Sequence, residues 1–322
     1  MDADRLVECV PNVSEGRRLE VVDEIVAAFA GPEVLVLDRS SDADHNRSVL
    51  TLAGPGPALV EAAVAGAVAC ARLIDLRRHR GVHPRMGALD VLPFVPLGRA
   101  TALRGAATPD LDCAALALRA GRRIAEDPGV PVYLYGAAAR RPDRAALPAV
   151  RGRGFEAAVR SARHPLDAAP DLGGPGPHPT AGAAAVGARE VLVAYNVDLA
   201  GADLELARRI ASAVRERDGG LPAVRAMGVA LEGRGLVQVS MNLLDFRVTP
   251  PAVAFAAVAG LAGRAGARVV RSEVVGLVPA AALAGTDPAE LRLDGFTPDL
   301  LLEERLARML RARSGDQAEV AR

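Results

Sequence analysis

The chain of 322 residues carries 39 basic and 39 acidic side chains, giving zero formal net charge and a pI near 7.0, and half of its residues are hydrophobic. That balance supplies core enough for two ordinary domains or one large one, and it leaves no electrostatic footprint for nucleic acid or an acidic membrane. Trp is absent and aromatics make up only 3%, which removes the usual base-stacking platform.

Every basic residue is arginine. Without lysine there is no Schiff base to pyridoxal phosphate or to a carbonyl substrate, and no Walker-type phosphate loop. Cys9, Cys70 and Cys113 are odd in number and lack CxxC spacing, so buried free thiols in a reducing compartment are expected. The N-terminus has no hydrophobic signal region. The apolar runs 58–73 and 251–263 are interrupted by Glu61 or end too early to span a bilayer. The expectation is a cytoplasmic protein with no nucleic-acid and no membrane partner.

In chain order, 6–10 reads as a strand and 15–29 as a helix opened by Ser14, with Leu19, Val22, Ile25 and Val26 on one face. Strands are expected at 34–38 and 48–52, joined by a polar loop over 39–47. A helix over 57–76, a strand over 89–95, a helix over 110–125 and a strand over 130–135 follow. From Gly136 to Gly182 the texture becomes rich in Ala, Arg, Pro and Gly, with one short helix near 155–162. The stretch 171–182 has no core-forming period and reads as an interdomain linker or a functional loop. Beyond it come a strand over 190–197, a helix over 203–215, strands over 223–231 and 236–242, a helix over 250–263 and a strand over 269–275. A final amphipathic helix over 298–313 should pack back, with fraying beyond Ser314.

The order β-α-β-β-α-β thus occurs twice, and both halves open on a strand leading into Asn-Val, at Asn12-Val13 and Asn196-Val197. The fold class read from this is α+β, with two packed ferredoxin-like (βαββαβ) subdomains, residues 1–182 and 183–322, and the ligand site between them.

The densest polar chemistry lies at 75–96, where a helix pattern meets a strand pattern. His79 and His83 stand four apart, but Gly81 and Pro84 argue against a regular helix there, and no third zinc-type ligand lies nearby. His83 is the favoured general acid/base, because imidazole titrates near neutrality. His79 reads as support. Arg85 could hold a carboxylate bidentately. Asp38, Asp42, Asp44, His45, Asn46 and Arg47 form a second polar cluster, whose carboxylates could orient His83 or sit in a solvated turn. Asp90 reads as a strand residue. No Gly-x-Ser-x-Gly elbow is present, and the prolines in Gly173-Gly-Pro-Gly176 exclude a dinucleotide fingerprint.

Several motifs together resemble the glutamate formimidoyltransferase family. They are Val7-Glu-Cys-Val-Pro-Asn-Val-Ser-Glu-Gly-Arg17, Asn46-Arg-Ser-Val49, Ile74-Asp-Leu-Arg-Arg-His-Arg-Gly-Val-His-Pro-Arg-Met-Gly-Ala-Leu-Asp90, Val130-Pro-Val-Tyr-Leu-Tyr-Gly136, Val186-Gly-Ala-Arg189, Gln238-Val-Ser-Met-Asn-Leu-Leu-Asp245 and Gly276-Leu-Val-Pro279. The resemblance covers the formiminotransferase part only, with no counterpart of a cyclodeaminase domain. It implies transfer of a formimino group from N-formimino-L-glutamate to N5 of tetrahydrofolate, releasing L-glutamate, as a step of histidine breakdown in a homodimer. Tetrahydrofolate would be a co-substrate, and no metal is called for. The resemblance makes His83 the catalytic residue, with Asp42, Asp44, Asn46 and Arg85 as supporting candidates. It assigns folate binding to Gly173, Gly174, Pro175, Gly176, Pro177, His178, Pro179, Thr180, Ala181 and Gly182, and to Gly219, Gly220 and Leu221. Two other readings stay open at this point: a formyltransferase using 5-formyltetrahydrofolate on the same scaffold, and a non-catalytic regulator binding folate or an amino acid.

Overall fold

The computed structural model describes residues 6–98, 112–151, 154–161 and 169–320. The chain divides into two compact units, Met1–Arg189 and Glu190–Arg322. The division follows Arg189 rather than Gly182, because the strand Ala184–Ala188 pairs inside the first unit.

The first unit holds strands β1 (Leu6–Cys9), β2 (Asn12–Val13), β3 (Leu35–Asp42), β4 (Arg47–Pro55), β5 (Leu89–Gly98), β6 (Val132–Gly136) and β7 (Ala184–Ala188) in one mixed sheet. Its helices are α1 (Leu19–Phe29), α2 (Gly56–Leu73), α3 (Cys113–Glu126), α4 (Leu147–Arg151) and α5 (Phe155–Ser161). β1 and β2 share one slot between β4 and β5. Pro11, which has no N–H to give a ladder, separates them, and its carbonyl still accepts from Leu50 N at 2.9 Å. β5, β7 and β6 pair in parallel, and the remaining pairs are antiparallel.

Side-chain alternation sorts the sheet into two faces. Val7, Cys9, Val132, Leu134, Ala184 and Val186 join the core with Ile25, Phe29, Leu59, Val60, Ala63, Ala117 and Ile124 of the helices. Tyr135, Val91 and Ala185 point the other way and pack with Met86, Val150 and Ala183. Phe29 is fully buried, and truncating such a side chain to Ala costs about 3–5 kcal/mol. α2 passes a length-and-hydropathy test for a bilayer span, in contrast to the expectation from Glu61, yet Leu59, Val60, Ala63, Ala67 and Cys70 are buried in this core. All three cysteines are buried and none is in a disulfide.

The second unit holds β8 (Val193–Ala200), α6 (Leu204–Val214), β9 (Val224–Leu231), β10 (Leu236–Leu243), α7 (Pro251–Arg264), β11 (Arg268–Val274) and α8 (Leu302–Val320). Its strand order, β11-β8-β10-β9, matches that of β5, β1/β2, β4 and β3 in the first unit. Val193, Tyr195, Val197 and Leu199 face the helices. Asn196 and Asp198 alternate to the opposite face, where Asp198 accepts from Gln238 Nε2 at 2.8 Å and Arg271 Nε at 2.9 Å. Asp203 caps α6 by accepting from Leu206 N at 2.7 Å, and Asp112 caps α3 in the same way.

The element order matches the sequence reading except for α4 and β7, which that reading lacks, and four further details differ. α1 starts at Leu19, because Glu15 turns back to cap the backbone amides of Gly16, Arg17 and Arg18. The polar 39–47 segment is mostly ladder: β3 runs to Asp42 and β4 starts at Arg47, leaving a tight turn. The segment after Leu172 is not a linker. Asp171 accepts from Leu134 N at 2.9 Å and Arg144 at 3.0 Å, which stitches it to β6. α8 begins at Leu302 and continues to Val320 rather than fraying at Ser314. The expected start of α3 at Asp110 lies outside the described residues.

Candidate active site

The loop from Ile74 to Ala88 leaves α2 and enters β5, and other segments fix its two stems. Leu76 N donates to Thr180 O at 2.9 Å, and Ala88 N donates to Ala181 O at 2.8 Å. Gly182, at φ +72°, brings its backbone so close to Met86 that a Cβ there would sit 2.1 Å from the Met86 carbonyl oxygen. The Gly173–Gly182 segment therefore lies directly against the His83 loop. His178 organises it, with Nδ1 accepting from Ala181 N at 3.0 Å and its backbone exchanging bonds with Gly182.

The middle of the loop is pinned to the β3–β4 turn. Asn46 takes a left-handed φ of 47°, accepts from Gly16 N at 3.0 Å and donates to Arg80 O at 2.9 Å. His79 is buried, and its Nε2 donates to Asn46 O at 2.8 Å. Burial is the main influence holding its pKa below the ordinary imidazole value, and the bond to Asn46 opposes it. Gly81 allows closest approach, since a Cβ there would meet His45 O at 2.3 Å. Asp44 O accepts from Val82 N at 3.3 Å, and Asp42 Oδ1 accepts from His45 N at 2.8 Å. Asn46 and His79 are thus clamps.

His83 emerges half-buried from this frame. Its Nδ1 lies 2.7 Å from the Pro84 carbonyl oxygen, and its ring is 5.9 Å from that of His45. A carbonyl can only accept, so Nδ1 carries the hydrogen and Nε2 keeps the free lone pair. Burial, followed by the charges of Arg47, Arg151 and His45, pushes the His83 pKa well below 6.5, against a smaller opposing effect of the Pro84 carbonyl. The ring is a neutral base at physiological pH.

Ser14, His45, Asn46, Arg47, His79, His83, Arg85 and Asp90 line one small hollow of about 160 Å³, part of it open to solvent. Of the residues expected from the sequence, His83, Asn46 and Arg85 meet here. Asp42 and Asp44 stand in the adjoining turn, and Gly219–Leu221 belongs to the other unit, where Gly220 N and Leu221 N bond back to Arg215 and Val214.

Arg85 is committed elsewhere. It bonds both Glu156 oxygens at 2.7 and 3.2 Å and reaches the carbonyls of Leu76 and His79. Sequence reasoning passed over Arg47, Asp90 and Arg151 as site residues. Asp90 is buried, accepts from Met86 N at 2.7 Å and pairs with Arg151 Nη2 at 2.7 Å. A carboxylate at a buried strand position was the available signal for Asp90. Nothing local marks Arg151 among so many arginines. Among the described residues no group of three or more His, Cys, Asp or Glu gathers as metal ligands.

A family model described as the formiminotransferase domain, N-terminal subdomain, matches residues 6–189, and the formiminotransferase domain model matches residues 194–290. The chain is 43% identical over 307 residues to a glutamate formimidoyltransferase of Thermoplasma acidophilum, covering 94% of this chain and 97% of that protein. It is 41% identical to the glutamate formimidoyltransferase of Streptococcus pyogenes serotype M1, over 91% of this chain and 95% of that one. Against the formimidoyltransferase-cyclodeaminase of Sus scrofa the identity is 42%, over 97% of this chain but only 57% of the longer protein. The chain belongs to the formiminotransferase family.

Proposed function

We propose that this protein transfers the formimino group of N-formimino-L-glutamate to N5 of tetrahydrofolate, giving 5-formiminotetrahydrofolate and L-glutamate in histidine breakdown, with His83 carrying the proton. The transferase activity is supported by 41–43% identity to glutamate formimidoyltransferases along nearly the whole chain. The observation behind the role of His83 is its Nδ1–H bond to Pro84, which leaves Nε2 as the base at an arginine-lined hollow.

The bond formed is between N5 and the formimino carbon, and the bond broken joins that carbon to the glutamate nitrogen. His83 Nε2 takes the proton that N5 loses on addition and returns it to the departing nitrogen. A positioned base of this kind contributes ~10²–10⁴-fold. Folate contacts are assigned to Gly173–Gly182, supported by the bonds of Thr180 and Ala181 to the stems of the His83 loop. Those of Gly219–Leu221 rest on the family pattern. Asp42 or Asp44 would assist by favouring the cationic amidinium. The ferredoxin-like reading of each unit is supported by their shared strand order. A cytoplasmic location is consistent with three buried cysteines outside any disulfide, and a homodimer with the family resemblance.

The test is glutamate release from N-formimino-L-glutamate, measured with and without tetrahydrofolate, and with N-formyl-L-glutamate as rival donor. Stoichiometric release that requires both formiminoglutamate and tetrahydrofolate is expected. Saturable binding of either compound without turnover would sink the reading.

A further inference from the structure

Arg47 and Arg85 line the hollow, Arg151 reaches it through its bond to the lining residue Asp90, and the electrostatic situations of the three differ. Arg85 is neutralised by Glu156. Arg47 and Arg151 share a single carboxylate, Asp90, which is already occupied: one oxygen takes the amides of Met86 and Gly87, and the other takes Arg151. Arg47 donates an Nη to the neutral amide oxygen of Asn12. The Nε atoms of Arg47, Arg151 and Arg85 are all buried, with no hydrogen-bond partner among the described residues, but only Arg85 has a carboxylate to itself. Buried donors of this kind cost free energy unless a partner meets them, and for a charged group the cost is higher. Burial and the neighbouring Arg151 charge push Arg47 down to about 10, with Asp90 opposing, as befits a guanidinium short of counter-charge. Beside His83 two buried guanidiniums therefore draw on one carboxylate, which leaves a place for a bound anion.

The substrate chemistry indicates which anion fills it. In N-formimino-L-glutamate the α-carboxyl carbon is two bonds from the nitrogen that departs, whereas the side-chain carboxyl carbon lies about two bonds further away on a flexible chain. His83 shares one wall with Arg47 and Asp90, so an anion held by these arginines lies next to the proposed proton carrier and close to the bond that breaks. We propose that Arg47 and Arg151 form the subsite for the donor's α-carboxylate, placed so that the leaving nitrogen comes to His83. This deepens the formimino-transfer reading and rests on it. Arg85, the arginine nearest His83 in sequence, serves instead as a strut between the loop and α5.

The test has a ligand arm and a protein arm. In the wild-type enzyme, replacing the α-carboxylate of N-formimino-L-glutamate by its α-amide should lower kcat/KM by about ten- to hundred-fold, the worth of one or two charge-assisted hydrogen bonds. In Arg151→Gln, which keeps the Asp90 contact possible, KM for the acid should rise by a similar factor, KM for tetrahydrofolate should hold, and discrimination against the α-amide should collapse. Arg47→Lys should give an intermediate result. Because the ligand arm needs no variant, it stands even if Arg47 variants misfold. Undiminished discrimination in Arg151→Gln, or equal use of acid and amide by wild type, overturns the subsite. Calorimetric binding of L-glutamate separates the two levels. Binding lost in Arg151→Gln, in a wild-type protein that turns nothing over, would uphold the subsite and sink the transferase reading.

Discussion

His83 donates its Nδ1–H to the carbonyl oxygen of Pro84, its own chain neighbour, at 2.7 Å. The bond sets the tautomer within a single dipeptide, so the lone pair proposed as the base is fixed without help from another element. Replacing His83 by Ala removes the proposed proton carrier and leaves intact the backbone bonds that hold the loop. Turnover should fall by ~10²–10⁴-fold with tetrahydrofolate binding preserved. Single-turnover rates and folate titration check it, and wild-type-like turnover would falsify the role.

The proton affinity of His83 is depressed by burial and by the charges of Arg47, Arg151 and His45. A base must be deprotonated to act, so activity should fall as pH drops through its pKa. Since that pKa lies well below 6.5, kcat/KM should be level from about pH 6.5 to 8 and decline only at more acidic pH. A limb centred at or above pH 6.5, with chemistry rate-limiting, contradicts this electrostatic picture.

Gly81 lets the loop lie on the His45 backbone, where a Cβ would come within 2.3 Å of a carbonyl oxygen that cannot rotate away. Gly81→Ala should displace the loop while sparing the core. We expect at least a tenfold fall in kcat, of the size that misplacement by about an ångström produces, with a thermal midpoint lowered by only a few degrees. Side-by-side kinetics and calorimetry distinguish this from general unfolding.

Glu8 is buried on the sheet face opposite the helices, and burial, partly offset by Arg189, raises its pKa from 4.5 to about 7. A raised acid favours the folded state most below its unfolded pKa and loses that contribution as pH climbs toward its folded value. Stability should therefore decline between about pH 4.5 and 7, by roughly 3 kcal/mol. Glu8→Gln should flatten that slope, visible as a smaller drop in denaturation midpoint from pH 5 to pH 8. An unchanged slope would show that other groups set it.

Much of this was legible in the sequence because the information is local. Alternation marked β8 and β10, apolar spacing marked α1 and α6, and the break imposed by Gly81 and Pro84 set His83 apart from a helical metal pair. What the sequence concealed is nonlocal or compositionally masked. β7, Ala-Ala-Val-Gly-Ala, lacks the branched and aromatic residues of an ordinary strand, and it pairs in parallel with β5 and β6 across a long connection. Arg151 is one arginine in an arginine-rich stretch, and only its 2.7 Å approach to Asp90 singles it out. Arg85 shows the opposite case: it adjoins His83 in sequence and lines the same hollow, but the carboxylate it holds bidentately, Glu156, lies 71 positions away.

The stems of the His83 loop are tied to Thr180 and Ala181, and the strand that follows those residues closes the edge of β5. This orders the events of folding. Until a segment roughly a hundred positions downstream has docked, β5 presents an unpaired edge of consecutive apolar residues and the loop has nothing to hang from. Such distant pairing is slow, and exposed edges invite association between chains. A nascent or truncated chain ending before Thr180 would therefore be inactive and prone to self-association, even with His83 and every lining side chain already in place.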